Sequence, residues 1–223
     1  MQIIEANGIG LHVADQGPKD GPAVVFANSL GTDLRLWDRL LPLLPGGLRL
    51  VRYDKRGHGL SANPPGPYTI DQLADDAAGL IGALGLKDVV FVGLSIGGLI
   101  GQALALKHPG LLRALVVSNS AAKIGTVDMW TDRVNAIREF GLQVVAAPTM
   151  ERWFSPAFRA TPDLTLWQRM LERQPADGYI ACCQAIADAD LRRQVGALKL
   201  PVQMIAGSLD GSTPPELVRA SGQ

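Results

Sequence analysis

Five residues, Gly93-Leu94-Ser95-Ile96-Gly97, constrain this chain more than any other stretch. They follow the β-branched run Val89-Val90-Phe91-Val92 and precede a helix-spaced apolar segment, Leu99 to Lys107. A serine between a strand and a helix, with glycine two positions before and two after, is the pattern of a sharp turn that presents its hydroxyl. Strand and helix approach so closely there that a Cβ at either flanking position would collide. Gly98 and Gly101 then read as close-packing positions on the helix. Glycine is 25 of the 223 residues, so composition alone supplies roughly 0.1 such pentapeptides per chain. The flanking strand and helix carry the remaining weight, against the competing reading of a purely structural turn.

The rest of the chain repeats the same alternation. Gln2 to Ala6, the turn signal Asn7-Gly8 and Gly10 to Ala14 read as a hairpin. Strands are expected at Ala23–Ala27, Leu50–Tyr53, Leu115–Val117 and Val202–Ala206, and helices at Leu36–Leu44 and Ile70–Leu84. Strand alternating with helix implies an α/β fold: a mostly parallel sheet with helices on both faces. From Ala122 to Val195 only helical patterns rich in Trp and Arg appear, which read as a helical cap insertion over the ligand-binding end of the sheet. The expected division is a core over 1–121, the cap over 122–195 and the core continued over 196–223.

Charge and composition narrow the partners. Lys plus Arg equals Asp plus Glu, 21 each, which removes the electrostatic drive for nucleic-acid or anionic-membrane binding and leaves a small organic substrate. No apolar run reaches membrane-spanning length, and Met1 to Gly8 lacks the pattern of a secretory signal. The two cysteines, Cys182 and Cys183, are adjacent in a helical pattern and read as core fillers in a reducing, cytoplasmic setting.

Serine is a poor nucleophile unless geometry and a base activate it. The amide of Ile96 and one from the loop Asn28-Ser29-Leu30-Gly31, with Leu30 the candidate, read as oxyanion donors, or that loop is an ordinary turn. Ser118-Asn119-Ser120 offers no acid after its strand, whereas Gly207-Ser208-Leu209-Asp210 does. Asp210 thus reads as the acid of a relay, or as a solvated turn aspartate. The order Ser, Asp, His demands a histidine after Asp210, and none follows. His108 lies about twelve helical residues from Ser95, some ~18 Å away. His12 reads as a surface residue on the outer hairpin, and His58 as structural within a tight Gly-bounded turn. The chain ends at Ser221-Gly222-Gln223 without a closing strand or helix. Both facts fit a C-terminally truncated chain whose base, final strand and helix lie further on. Val202–Ala206 would then be an exposed sheet edge inviting aggregation.

Several segments together resemble the 3-oxoadipate enol-lactonases, within the α/β-hydrolase fold. They are Asn28-Ser29-Leu30-Gly31-Thr32-Asp33, Arg52-Tyr53-Asp54-Lys55-Arg56-Gly57-His58-Gly59, Pro64-Pro65-Gly66-Pro67-Tyr68-Thr69-Ile70, the Ser95 turn and Ile205-Ala206-Gly207-Ser208-Leu209-Asp210. The elbow and the Asp-x-Arg-Gly-His-Gly turn are general to that fold; the Asn-Ser-Leu-Gly loop and the Pro-Gly-Pro-Tyr-Thr-Ile segment are more specific. The resemblance implies opening of 3-oxoadipate enol-lactone to 3-oxoadipate in the catabolism of aromatic compounds, without cofactor or metal. It implies Ser95 as nucleophile, Asp210 as acid, and Leu30 and Ile96 as oxyanion hole. For the substrate's free carboxylate the cap should offer a cation. Arg133, one turn from Trp130 at the expected entrance, is the candidate, with Trp130 beside the substrate. Arg138, Arg152, Arg159, Arg169, Arg173, Arg192 and Arg193 crowd the same region and read mostly as solvated surface, and Trp130, Trp153 and Trp167 equally as cap packing. A general carboxylesterase, a C–C bond hydrolase and a non-catalytic binding protein are the alternatives. Families that use aspartate where Ser95 stands are disfavoured.

Overall fold

The computed structural model describes residues 1–222. Gln223, the last residue of the expected core continuation, lies outside them. Seven strands form one sheet, β1 (Gln2–Ala6), β2 (Ile9–Gln16), β3 (Ala23–Ala27), β4 (Arg49–Tyr53), β5 (Val89–Leu94), β6 (Leu112–Ser118) and β7 (Val202–Ile205). Their spatial order is β1-β2-β4-β3-β5-β6-β7. The N-terminal hairpin adds to β4 antiparallel, and β4, β3, β5, β6 and β7 run parallel. All five residues of β3 are buried, as expected of a central parallel strand covered on both faces.

Alternate residues of β5 divide the two cores. Val89 and Phe91 join the large cluster beneath helices α1 (Ile70–Ala83) and α2 (Ile96–Lys107). Val90, Val92 and Leu94 face a smaller one built on Phe26 and Trp37. Helix α1 starts where Thr69 caps it, its hydroxyl accepting from the Gln72 amide at 3.0 Å, and Asp71 lies in its first turn. The helix expected over 36–44 is instead two short 3-10 turns, Leu34–Trp37 and Leu41–Leu43. Asp33 caps the first of these turns, and Pro42, without an N–H, denies the segment a continuous helical ladder. Their apolar residues still cover the second face of the sheet.

Between β6 and β7 the chain leaves the sheet for five helices: α3 (Val127–Phe140), α4 (Gln143–Trp153), α5 (Pro156–Arg159), α6 (Leu164–Glu172) and α7 (Ala176–Asp188). Helix α7 buries Cys182 and Cys183 completely, so both cysteines are core fillers. Contrary to the expectation that no helix closes the chain, helix α8 (Pro215–Ser221) follows β7; it opens on Pro215, whose fixed φ suits a first helical position. Among the described residues β7 pairs with β6 alone, and Val202 and Ile205 are exposed at that edge. No helix of the described residues is long and apolar enough to cross a membrane.

His12 departs from the sequence expectation. It is buried, because β2 is flanked by β1 on one side and β4 on the other, and its Nδ1 lies 2.7 Å from Asp54 Oδ2. The same carboxylate accepts from the amides of Leu34 and Leu60, so Asp54 ties the hairpin to two loops after parallel strands.

Candidate active site

Ser95 sits between β5 and α2 with φ 57° and ψ −119°, a backbone conformation rarely adopted by non-glycine residues, costing about 1–3 kcal/mol. The surroundings hold it there. Its amide donates to Ser118 O at 3.0 Å, and its carbonyl accepts from the Gly98 amide at 2.8 Å and from Ser120 Oγ at 2.7 Å. The two flanking glycines are required by approach distance. A Cβ on Gly93 would stand 2.1 Å from Gly97 O, and one on Gly97 would stand 2.1 Å from Ala27 O. The Ser95 side chain makes no capping bond to α2, so its half-buried hydroxyl is left for other partners at the positive end of that helix.

Among the described residues the main-chain amides of Leu30 and Ile96 have no acceptor, whereas neighbouring Gly31 donates to His58 Nε2 at 3.0 Å. Leu30 borders a cavity of about 290 Å³ together with Ser95, Trp130, Arg133 and Arg152. Ile96 has its side chain in the core and offers only its main chain. Trp130 both packs and borders the cavity: it is buried, and its Nε1 donates to Ile124 O at 2.8 Å.

The arginines on the cap side separate into classes that the sequence did not distinguish. Arg133 Nη2 donates to Thr149 Oγ1 at 2.5 Å, and its guanidinium lies 5.8 Å from the Trp130 ring centre and 5.7 Å from that of Tyr179. Arg152, expected among the solvated arginines, is half-buried and donates to the same Thr149 oxygen at 3.1 Å. One turn of α4 separates Thr149 from Arg152, and the packing of α3 on α4 brings Arg133 to meet them. Among the described cap arginines Arg192 alone pairs with a carboxylate, so Arg133 and Arg152 stand apart by bordering the cavity and meeting at Thr149. Burial, and then the Arg133 charge, pull the Arg152 guanidinium below its ordinary range. Two cations that share one hydroxyl and border a cavity without a carboxylate partner are an arrangement able to receive an anion.

Asp210 lies past the end of β7 and borders a second cavity of about 190 Å³, which shares Ser29, Ser95, Trp153 and Ser212 with the first. Its carboxylate accepts from the amides of Ser212 at 2.7 Å and Thr213 at 3.2 Å, from Thr213 Oγ1 at 2.9 Å and from Asn119 Nδ2 at 2.5 Å. Asn119 was unremarkable in sequence. It is 91 residues from Asp210 and meets it only because β6 and β7 are neighbours. The loop is also tied to the cap, the Gly211 amide donating to Arg152 O at 3.0 Å.

Each histidine has partners elsewhere. His12 meets Asp54, His108 Nε2 lies 2.9 Å from Asp75, and His58 is fully buried, accepting the Gly31 amide. Burial first, then the nearby Lys55 charge, hold the His58 imidazole well below its usual pKa and therefore neutral. His58 is a structural clamp on the loop that carries Leu30.

A seven-stranded, mostly parallel sheet with a serine elbow after β5 and a helical cap over the site defines a class of protein, and a family model described as the alpha/beta hydrolase fold matches residues 22–223. The chain belongs to that family. Within it, the chain is similar to 3-oxoadipate enol-lactonase 2 of Acinetobacter baylyi, 39% identical over 94% of this chain and 79% of that protein. It is likewise similar to 3-oxoadipate enol-lactonase 1 of the same organism, 37% identical over 96% of this chain and 80% of that one. The crystal structure of the enol-lactonase from Burkholderia xenovorans superposes with a TM-score of 0.95 at 36% identity, over 98% of this chain and 86% of that one.

Proposed function

We propose that the chain carries the nucleophilic and substrate-binding parts of a serine hydrolase that opens 3-oxoadipate enol-lactone to 3-oxoadipate. The observation that carries this reading is one cavity bordered by a free serine hydroxyl on a strained elbow and by two arginines without carboxylate partners. Resemblance to two named enol-lactonases supplies the substrate.

Ser95 Oγ adds to the ring carbonyl, and the charge that develops on the carbonyl oxygen is met by the Leu30 and Ile96 amides, donors with no competing acceptor. Collapse of this intermediate breaks the ring C–O bond. The leaving group is an enolate, less basic than an alkoxide; it takes up the proton that the Ser95 hydroxyl gave up, and the resulting enol tautomerises to the ketone. Water then cleaves the acyl-serine. Arg133 and Arg152 receive the free carboxylate and fix which carbonyl faces Ser95, while Trp130 forms an apolar wall.

The proton transfers need a base. In this reading Asp210 orients it, and none of His12, His58 and His108 is that base, since each is committed elsewhere. Loss of a relay member lowers turnover by about 10⁴- to 10⁶-fold, so the chain as it stands should turn over slowly. The test is hydrolysis of the enol-lactone by the unaltered chain and by Ser95→Ala. Residual turnover that disappears in Ser95→Ala supports the reading, and equal rates refute it. Faster turnover of an uncharged aryl ester than of the lactone would point to a general carboxylesterase instead.

A further inference from the structure

We propose that Lys55 is a positioning residue for the oxyanion hole, acting through the Ser29–Leu30 peptide. Lys55 is buried, and its Nζ donates to Ser29 O at 2.7 Å. That carbonyl belongs to the peptide whose N–H is the Leu30 amide. In a trans peptide the C=O and N–H point in opposite directions, so a cation anchored on the oxygen turns the Leu30 N–H away from itself. The N–H that results has no acceptor, and Ser29, Leu30 and Ser95 border the same cavity. A donor on a peptide oxygen also withdraws electron density from its nitrogen, and hydrogen bonds so linked strengthen one another. Ser29 O takes two further bonds, from Thr32 Oγ1 at 2.9 Å and the Thr32 amide at 3.3 Å, which fix the loop but bring no charge.

A buried ammonium without a counter-ion is costly to the fold, and a methionine of similar length would fill its place. The paired lysines are Lys19 and Lys107, so Lys55 lacks a carboxylate partner. The groups facing it are accounted for. Asp54 is bound to His12 and two amides, and Asp33 is bound to Arg35. Cys182 from α7 is a neutral thiol whose pKa burial pushes up to about 12, and His58 is neutral. Burial pulls the Lys55 ammonium down to about 8. Its charge is thus present below that value and lost above it, within reach of an ordinary titration.

The proposal rests on the hydrolase reading above, and the experiment separates the two. Acylation of Ser95 by an activated aryl ester is followed by mass in the unaltered chain, Lys55→Met and Lys55→Gln, with Ser95→Ala as the background. Deleting an oxyanion donor outright costs about 10²- to 10³-fold, so weakening one should slow Lys55→Met by about tenfold to a hundredfold at neutral pH. Lys55→Gln keeps a donor without charge and should fall between. The ratio of unaltered chain to Lys55→Met should shrink towards the Lys55→Gln ratio as pH rises through about 8. In the unaltered chain the Leu30 amide nitrogen resonance should titrate with the same midpoint, a readout that needs no variant. Equal acylation rates in all three chains at every pH, with Ser95→Ala silent and no Leu30 titration, overturn the role of Lys55 alone. Acylation that persists in Ser95→Ala overturns the hydrolase reading instead.

Discussion

Gly97→Ala tests the elbow directly. The new methyl would lie 2.1 Å from Ala27 O, about 0.9 Å inside the 3.0 Å that real Cβ atoms essentially never cross. The clash is with main chain, so no side-chain rotation relieves it; β3 and the start of α2 must part by nearly an ångström. Helix α2 has little room to retreat, because Leu99, Ile100, Ala103 and Leu104 are buried on its far turns. Forced overpacking of this kind costs about 1–3 kcal/mol, which for a domain of this size lowers Tm by about 2–12 °C. The same displacement carries Ser95 and the Ile96 amide with it, and ~1 Å of misplacement costs about 10²-fold in rate. The internal control is Gly82→Ala in α1, where a Cβ meets nothing within 4 Å. That change should stabilise the chain by about 0.4–1 kcal/mol. Calorimetry of both variants, with the rate of Ser95 acylation, settles the matter. A Gly97→Ala protein that melts with the unaltered chain and labels at the same rate would refute the close-approach argument.

Two further outcomes are expected. The cavity of about 190 Å³ that Ser95 and Asp210 both border is roomy enough for a five-atom ring, and an unattached base recovers only part of the ~10²–10⁴ of a positioned one. Added imidazole should therefore raise lactone turnover by about tenfold, and Asp210→Ala should remove that dependence; a rise equal in both chains argues against Asp210 as the orienting acid. Arg133→Met and Arg152→Met should each raise KM for the carboxylate-bearing lactone by about ten- to a hundredfold, the worth of a charge-assisted hydrogen bond. KM for the lactone's methyl ester should stay put, and an equal loss for both substrates would mean that the arginines only pack the cap.

Much of this architecture was legible in the sequence. Strand, turn and helix around Ser95 are set by neighbours in the chain, and local pattern reports local backbone. The hairpin, the buried β3 and the break in alternation after β6 could be read for the same reason. Where the pattern was ambiguous, as in the proline-containing 34–44 segment, apolar spacing suggested a helix while the backbone took 3-10 turns.

What only the tertiary structure decided was which distant side chains meet. Nothing in the order of residues separates Arg152 from the other cap arginines until α3 packs on α4 and both guanidiniums reach Thr149. Asn119 finds Asp210 because β6 lies beside β7, His12 becomes buried because β2 has a neighbour on each side, and Lys55 reaches Ser29 because β3 lies beside β4. The physical reason is common to all four. Periodicity encodes how a residue faces relative to its own strand or helix, whereas the field and the partners it meets depend on strand order and helix packing, which join positions tens of residues apart.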